Sequence, residues 1–130
     1  MILNVDLASE VAIYQQLRDQ VVEAIADGAL AAGSPLPATR TLAADFGINF
    51  HTVNKAYDLL RREGLIQLNR KTGAVVTRTV AGPPFPAEWT LRARTLLAEA
   101  VARGLPADEV LKTCQSILNS FATTQPEDAR

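Results

Sequence analysis

Apolar residues recur at steps of three and four between residues 10 and 63, the spacing that places them on one face of a helix. Three such stripes predict helices over about residues 10 to 27, 40 to 46 and 50 to 63. The residues of the stripes are Ile13, Leu17, Val21, Ala24 and Ile25, then Leu42, Ala43 and Phe46, then Val53, Ala56, Tyr57 and Leu60. The predicted N-caps are Ser9, Thr39 and Asn49.

Glycine and proline mark the breaks between these helices. Two prolines that follow Gly33 predict a loop over residues 28 to 37. Gly47 predicts a left-handed residue at the end of the second helix. Since only three residues, 47–49, separate the second and third predicted helices, these two helices are expected to form a helix-turn-helix.

The apolar spacing changes from helical to alternating after Gly64. Residues 65–68 and 74–77 predict the two strands of a β-hairpin, and residues 69–73 predict its basic turn. A two-stranded hairpin is marginal alone in water, so it is expected to pack on the helices. Three helices followed by a hairpin are the order of a winged helix.

The C-terminal third carries a separate pattern. Residues 83–86 include three prolines and predict an extended linker over residues 81–88. Two more amphipathic helices are predicted within residues 89–122, and residues 123–130 predict a flexible tail. The expected fold is therefore mainly α with a small β-hairpin, a winged helix-turn-helix domain over residues 1–80 followed by a two-helix unit.

These last two helices are too short to bury a core of their own, because isolated units below ~40 residues need a partner or a staple. Pairing with a second copy in a symmetric interface would cover their apolar stripes. The alternative is that the two helices fold back onto their own winged helix. The predicted interface residues, among which Cys114 is interpreted as a packing residue, are Leu96, Leu97, Ala100, Val101, Val110, Leu111, Cys114, Ile117, Leu118 and Phe121.

Composition narrows the possible chemistry. No stretch approaches the roughly 18 apolar residues that span a membrane, and the N-terminus lacks a signal-peptide pattern, so a cytoplasmic protein is expected. One cysteine and one histidine cannot form an intrachain disulfide or a Cys/His zinc site. No nucleophile and base pair, paired carboxylates or phosphate-binding glycine loop is evident. We expect no metal, no cofactor and no catalysis.

Charge is unevenly distributed although the net charge is only −1. Residues 1–33 carry one basic and five acidic side chains, whereas residues 34–79 carry seven basic and three acidic ones. Residues 80–130 have five basic and six acidic side chains. Because charge is screened over roughly 10 Å, the local sign decides what a surface attracts. The middle segment is therefore the candidate surface for a phosphate backbone.

The chain resembles a bacterial GntR-family transcriptional regulator. The resemblance covers roughly residues 12 to 76 and is carried by the segments at 12–17, 36–43, 47–49, 52–57 and 62–66, with Gly28 and Gly33. The short two-helix C-terminal unit is similar to that of the YtrA-like subfamily. The resemblance implies a winged helix-turn-helix that binds DNA, and it suggests that transporter genes are controlled.

Two positions depart from the family pattern. Ala38 stands where the family often has serine, which removes a hydroxyl that could cap the second helix or reach a phosphate. The wing, residues 70–74, has exchanged one glycine for charge. We therefore expect a looser electrostatic contact of the wing with DNA rather than a close approach to the minor groove.

The start of the third helix is expected to present its side chains to base edges in the major groove. Its candidate residues are Asn49, Phe50, His51, Thr52 and Asn54. The resemblance implies that Arg40 contacts a base or a neighbouring phosphate, with Thr39 beside it. Lys55, Arg70 and Lys71 are expected to neutralise phosphates. The wing adds Thr72 and Gly73.

Each candidate also has a structural interpretation. Asn49 can be a helix cap alone, and Phe50 can pack against Phe46 or the wing rather than touch a thymine methyl. His51 can lie in the core. Lys55 can be a solvated surface residue, and so can Arg61 and Arg62, which would also stabilise the end of the third helix.

The sequence thus predicts a homodimeric, sequence-specific DNA-binding repressor that reads an inverted repeat with two helices about 34 Å apart. Any small-molecule effector site should be shallow, because so small a C-terminal unit has little room for an enclosed pocket. The alternative is a winged-helix adaptor that binds proteins without specific DNA binding.

Overall fold

The computed structural model describes residues 3–71, 73–77 and 82–122, and its elements follow the predicted order. They are α1 (Ile13–Ala26), α2 (Thr39–Phe46), α3 (Phe50–Arg62), β1 (Ile66–Asn69), β2 (Gly73–Val76), α4 (Phe85–Ala102) and α5 (Ala107–Ala122). The described residues form two compact units, 3–77 and 82–122. The prediction of a mainly helical winged helix with two C-terminal helices is confirmed.

Helix α3 is the centre of the first unit. Its Val53, Ala56 and Leu60 are completely buried, since α1, α2 and β1 all pack against α3. The apolar stripes of α1 and α2 complete the same core. Burial of one full face of α3 fixes which side chains its other face presents to solvent.

The hairpin of β1 and β2 is antiparallel, with Ile66 opposite Val76 and Leu68 opposite Ala74. A third segment lies along β2, where the backbone of Leu36 donates to Ala74 at 2.8 Å and a bridge joins Pro35 to Val75. The prediction of a simple loop over residues 28–37 is therefore wrong in part. Proline is tolerated here because the segment lies at the sheet edge.

Two predicted helix caps are wrong. The N-cap of α1 is Ala12 and that of α2 is Ala38, and neither makes a side-chain cap. Ser9 lies before the cap position and accepts a hydrogen bond from the backbone of Val11 at 3.0 Å. Thr39 is already the first helical residue of α2. Both helices begin immediately after an alanine whose carbonyl accepts a backbone hydrogen bond of the first turn, so the hydroxyls are out of register.

An ion pair joins α1 to the end of α3. Arg18 donates from Nε and Nη2 to the two carboxylate oxygens of Glu63, at 3.0 and 3.1 Å, and from Nη1 to Asp19 at 3.0 Å. Partial burial of the guanidinium disfavours its charged form, but the hydrogen bonds that it donates to Glu63 and Asp19 raise the pKa of Arg18. The contact holds the two helices together and neutralises Glu63.

Helix α4 begins earlier than the proline pattern predicts. The prediction of an extended linker over residues 81–88 is wrong from Phe85 onward, because residues 85–88 are helical. Proline is tolerated in the first turn of a helix, where its missing N–H would have no intrahelical partner. Residues 85–88 therefore belong to α4 and not to a connector.

Candidate nucleic-acid interface

The turn between α2 and α3 has the geometry of a helix-turn-helix. Gly47 ends α2 with φ of 65°, a left-handed conformation that disfavours other residues. Asn49 then caps α3, since its Oδ1 accepts a hydrogen bond from the backbone of His51 at 2.8 Å. The cap prediction for Asn49 is confirmed, and the cap defines where α3 begins.

The outer face of α3 carries the polar candidates. His51, Asn54 and Lys55 are exposed and lie opposite the buried face of the helix, while Thr52 is half-buried. The alternative that His51 lies in the core is therefore wrong. Since spacings of three and four place side chains on one face, these three residues form a contiguous surface at the start of α3.

Arg40 and Phe50 bring α2 against the start of α3. The Cζ atom of Arg40 lies 4.1 Å from the centre of the Phe50 ring, and Phe50 and His51 have ring centres 4.2 Å apart with a 32° tilt. Phe50 is half-buried against the core, and Arg40 is exposed. Arg40 therefore lies directly beside the polar face of α3.

A groove of about 380 Å³ separates the start of α2 from the wing, and Thr39, Tyr57 and Arg70 are among its lining residues. The hydroxyl of Tyr57 donates to the carbonyl of Pro37 at 2.7 Å, which ties α3 to the residues that precede α2. Burial raises the pKa of Tyr57 to about 12. Sequence reasoning assigned Tyr57 to the core only and missed this hydrogen bond.

The wing presents two cations. Arg70 and Lys71 are exposed, and the backbone of Lys71 donates to Oδ1 of Asn69 at 2.9 Å, which orders the turn. Gly73 begins β2 with φ of 76°, a conformation that glycine adopts without strain. Thr72, the remaining wing candidate, lies outside the described residues.

Ion pairs neutralise the carboxylate that lies next to the polar face of α3. Asp58 lies one turn beyond Asn54 on α3, and it accepts hydrogen bonds from Arg61 at 2.6 Å and from Arg62 at 3.1 Å. The hydrogen bond from Arg61 is the main cause that lowers the pKa of Asp58. Arg61 and Arg62 are thus engaged with a neighbouring carboxylate at the far end of α3.

The other cations differ in their surroundings. Four cations of the first unit lie outside the ion pairs formed within residues 3–71, 73–77 and 82–122; they are Arg40, Lys55, Arg70 and Lys71. Lys55 instead holds its Nζ 4.1 Å from the centre of the Tyr14 ring on α1. Their charge therefore remains available to an anionic partner. Arg78, one of the seven basic residues within residues 34–79, lies outside the described residues.

The hairpin of α4 and α5 forms a second candidate surface, with a different character. Exposed apolar side chains dominate it, and none of the residues of α4 is buried. Six predicted interface residues line one open groove of about 580 Å³; they are Leu96, Leu97, Ala100, Val110, Cys114 and Ile117. Val101, Leu111 and Leu118 remain 61 to 70% exposed, whereas Phe121 is half-buried.

Neither surface carries a metal cluster. In the described parts of the chain, no group of three His, Cys, Asp or Glu side chains could hold a metal ion. None of the helices described there is long and apolar enough to cross a membrane.

Comparison with known proteins gives a consistent family. Residues 13–76 match the family described as "Bacterial regulatory proteins, gntR family". The chain is 29% identical over 110 residues to the HTH-type transcriptional regulator Rv1152 of Mycobacterium tuberculosis, covering 85% of this chain and 88% of that protein. It is 36% identical over 75 residues to the HTH-type transcriptional repressor YtrA of Bacillus subtilis, covering 58% of each.

A solved structure extends this likeness to the three-dimensional fold. The GntR-family transcription factor YtrA from Sulfolobus acidocaldarius has a TM-score of 0.64 and 38% sequence identity, covering 78% of this chain and 99% of that one. The family match over residues 13–76 includes Arg40 and the outer face of α3.

Proposed function

Because the chain belongs to the GntR family of bacterial regulatory proteins, we propose that it is a homodimeric repressor that binds an inverted-repeat operator. The family consists of DNA-binding transcriptional regulators, so the protein is a regulator and not an enzyme. The finer assignments are α3 as the recognition helix, the β1–β2 wing as a phosphate contact, and the α4–α5 hairpin as the dimer interface.

The observation that carries DNA binding is the continuity of the polar surface. Arg40 contacts Phe50 at the start of α3, and His51, Asn54 and Lys55 continue along the exposed face of that helix. Arg70 lies across the groove from Thr39. This arrangement suits a major groove, because base-reading side chains near the helix start are flanked by cations that fit the phosphates.

The chemistry of each side chain indicates which part of DNA it contacts. Asn54 can pair through its amide with an adenine edge, and the guanidinium of Arg40 can make two parallel hydrogen bonds to guanine. Lys55, a point charge held beside Tyr14, suits a phosphate instead. Asn49 already uses Oδ1 for the cap, so its contribution to DNA is limited to the amide donor.

Dimerisation is supported by the apolar surface of the hairpin. Leu96, Val101, Leu111 and Leu118 are all more than 60% exposed, a costly arrangement for one copy in water. A second copy offers the same surface, so a two-fold interface covers both at once. Two α3 helices would then reach successive major grooves about 34 Å apart.

The repressor role and the control of transporter-type operons rest on similarity. The relative YtrA is named a transcriptional repressor, and so is the 34% identical NagR of Bacillus subtilis. A regulator that covers an operator blocks transcription when the operator overlaps the promoter. The position of its DNA sites relative to promoters therefore decides between repression and activation.

Selection of bound fragments from random duplex DNA tests the proposal directly. A palindromic consensus with half-sites one helical turn apart is expected, together with a loss of affinity of ~10³-fold or more between 50 and 200 mM salt if six or more phosphates are contacted. Binding without consensus and without salt dependence would contradict it and would favour the protein-binding adaptor.

A matched pair of lysine variants locates the contact. Lys55→Gln should reduce the slope of log affinity against log salt by about one, because one phosphate contact is lost. Lys112→Gln, an exposed lysine on α5, should leave that slope unchanged. Equal slopes for both variants would place DNA on another surface.

A further inference from the structure

Phe50, the first residue of α3, packs against both the core and Arg40. Its ring is half-buried against the core, with the Arg40 guanidinium carbon 4.1 Å from its centre and the His51 ring beside it. The sequence suggests a thymine-methyl contact or simple packing for this residue. The geometry instead connects Phe50 to the cation that the proposed function assigns to DNA.

The contact has a physical consequence for Arg40. A guanidinium on a long side chain loses rotational freedom when it binds DNA, and that loss weakens binding. A cation that lies over an aromatic face is already confined to one region. At an exposed site the attraction favours the stacked over the unstacked position about two- to fivefold. The ring therefore performs part of the ordering before DNA arrives.

An aromatic ring is also a suitable support for a cation that must remain charged toward its target. The ion pairs of the described residues use the carboxylates of Asp19, Asp58 and Glu63, and Arg40 is in none of them. A carboxylate partner would compete with DNA for the guanidinium donors. The face of a ring leaves those donors in the guanidinium plane free for two parallel hydrogen bonds.

We propose that Phe50 is a positioning residue that holds Arg40 in the orientation in which it reads a base, and that Phe50 itself makes no essential base contact. This inference rests on the proposed function, because it needs Arg40 at the DNA. It differs from a packing role, since packing predicts a loss of stability while positioning predicts a loss that depends on the presence of Arg40.

The first test needs no DNA. Aromatic ring currents shift nuclei above a ring upfield, so the side-chain protons of Arg40 should resonate upfield in the free protein. Phe50→Leu should abolish that shift, Phe50→Trp should keep it, and Phe46→Leu, which removes another half-buried ring from the same core, should leave it in place. An unchanged Arg40 spectrum in folded Phe50→Leu would overturn the proposal.

The second test is a double-mutant cycle on a selected operator. Phe50→Leu should weaken specific binding about two- to fivefold and leave non-specific binding unchanged, and Phe50→Trp should bind as the natural chain does. In the Arg40→Ala background, Phe50→Leu should cost nothing more. An equal cost in both backgrounds would overturn positioning and indicate an independent base contact.

The same experiment separates failure of this inference from failure of the proposed function. If Arg40→Ala binds the operator normally, or if no duplex is selected at all, the assignment of Arg40 to DNA is wrong and the positioning role is wrong with it. If Arg40→Ala weakens binding but the cycle is additive, the proposed function stands and only the role of Phe50 is overturned.

Discussion

The two units of this chain are both built from amphipathic helices, but they bury their apolar residues to different extents. In residues 3–77, α1, α2 and α3 close around a core in which Val53, Ala56 and Leu60 have no exposed surface. In residues 82–122, α4 has no buried residue, and Leu111 and Leu118 of α5 are 70 and 61% exposed. The first unit buries its apolar stripes within one chain, whereas the second leaves most of its apolar side chains exposed.

This difference separates two tasks. A surface that reads DNA needs side chains held by a rigid scaffold, and the first unit supplies such a scaffold through its own core. A surface that joins two copies needs apolar area that remains available until the partner arrives. Exposed leucines on the hairpin are therefore consistent with a unit that needs a partner. Because the two units differ in burial, they should respond differently to mutation.

The largest effect is expected in the hairpin from Leu118→Asp. Both copies of a symmetric interface would carry the charge, so dimerisation should weaken by at least about 4 kcal/mol, roughly a thousandfold. Sedimentation should show monomers, and cooperative occupancy of two half-sites should be lost. Ser116→Asp adds the same charge two residues away and should remain dimeric, whereas a dimeric Leu118→Asp would place the interface elsewhere.

The next effect distinguishes a core leucine from an interface leucine. Leu60→Ala should lower the free energy of unfolding of the first unit by about 2 to 5 kcal/mol, because it leaves a cavity in a closed core. Leu111→Ala should destabilise only through the dimer, so its effect should fall as the protein is diluted. Urea unfolding at two protein concentrations measures both, and a concentration-independent effect of Leu111→Ala would break the distinction between the units.

A smaller effect is expected at the outer face of α3, where side chains have a role in binding and not in folding. Asn54→Ala should cost about 1 to 3 kcal/mol at the selected operator while leaving non-specific binding and stability nearly unchanged, if its amide reads a base. Competition binding with specific and random duplexes checks this. Equal losses on all duplexes would make Asn54 a phosphate contact.

Local signals explain what the sequence predicts well. The stripe of α3 and the cap at Asn49 depend on residues close together in the chain, and the structure confirms both. The pairing of Asp58 with Arg61 and Arg62 was also visible, since spacings of three and four bring charges together on a helix. A net charge summed over residues 34–79 does not reveal this pairing, because it does not place the charges on a surface.

Other features depend on contacts between distant residues, which leave no periodic signal. The alignment of residues 33–36 with β2 is hidden by glycine and proline, which read as a loop. The contact of Arg40 with Phe50 joins two helices and cannot be inferred from either stripe. The sequence predicts too late a start for α4, because a proline run is compatible with the first turn of a helix as well as with a linker.

The smallest effect concerns the hydrogen bond that joins α3 to the start of α2. Tyr57→Phe removes the donor to the Pro37 carbonyl and should lower the free energy of unfolding by about 1 kcal/mol at neutral pH. Because Pro37 and Tyr57 line an open groove, water can reach the carbonyl and limit the loss. Urea unfolding measures it, and Tyr14→Phe, at a half-buried tyrosine of α1, is the control for loss of a hydroxyl.

Alkaline pH sharpens the same prediction. Burial raises the pKa of Tyr57 to about 12, above the value of about 10 for an unfolded tyrosine. The unfolded state therefore loses its proton first as pH rises, so the stabilisation is complete below about pH 10 and is lost through about pH 12. The natural chain should lose up to about 1.4 kcal/mol per pH unit more than Tyr57→Phe within that window. If the natural chain and Tyr57→Phe lost stability in parallel as pH rises, the Tyr57 phenol would be exposed to solvent in the folded first unit.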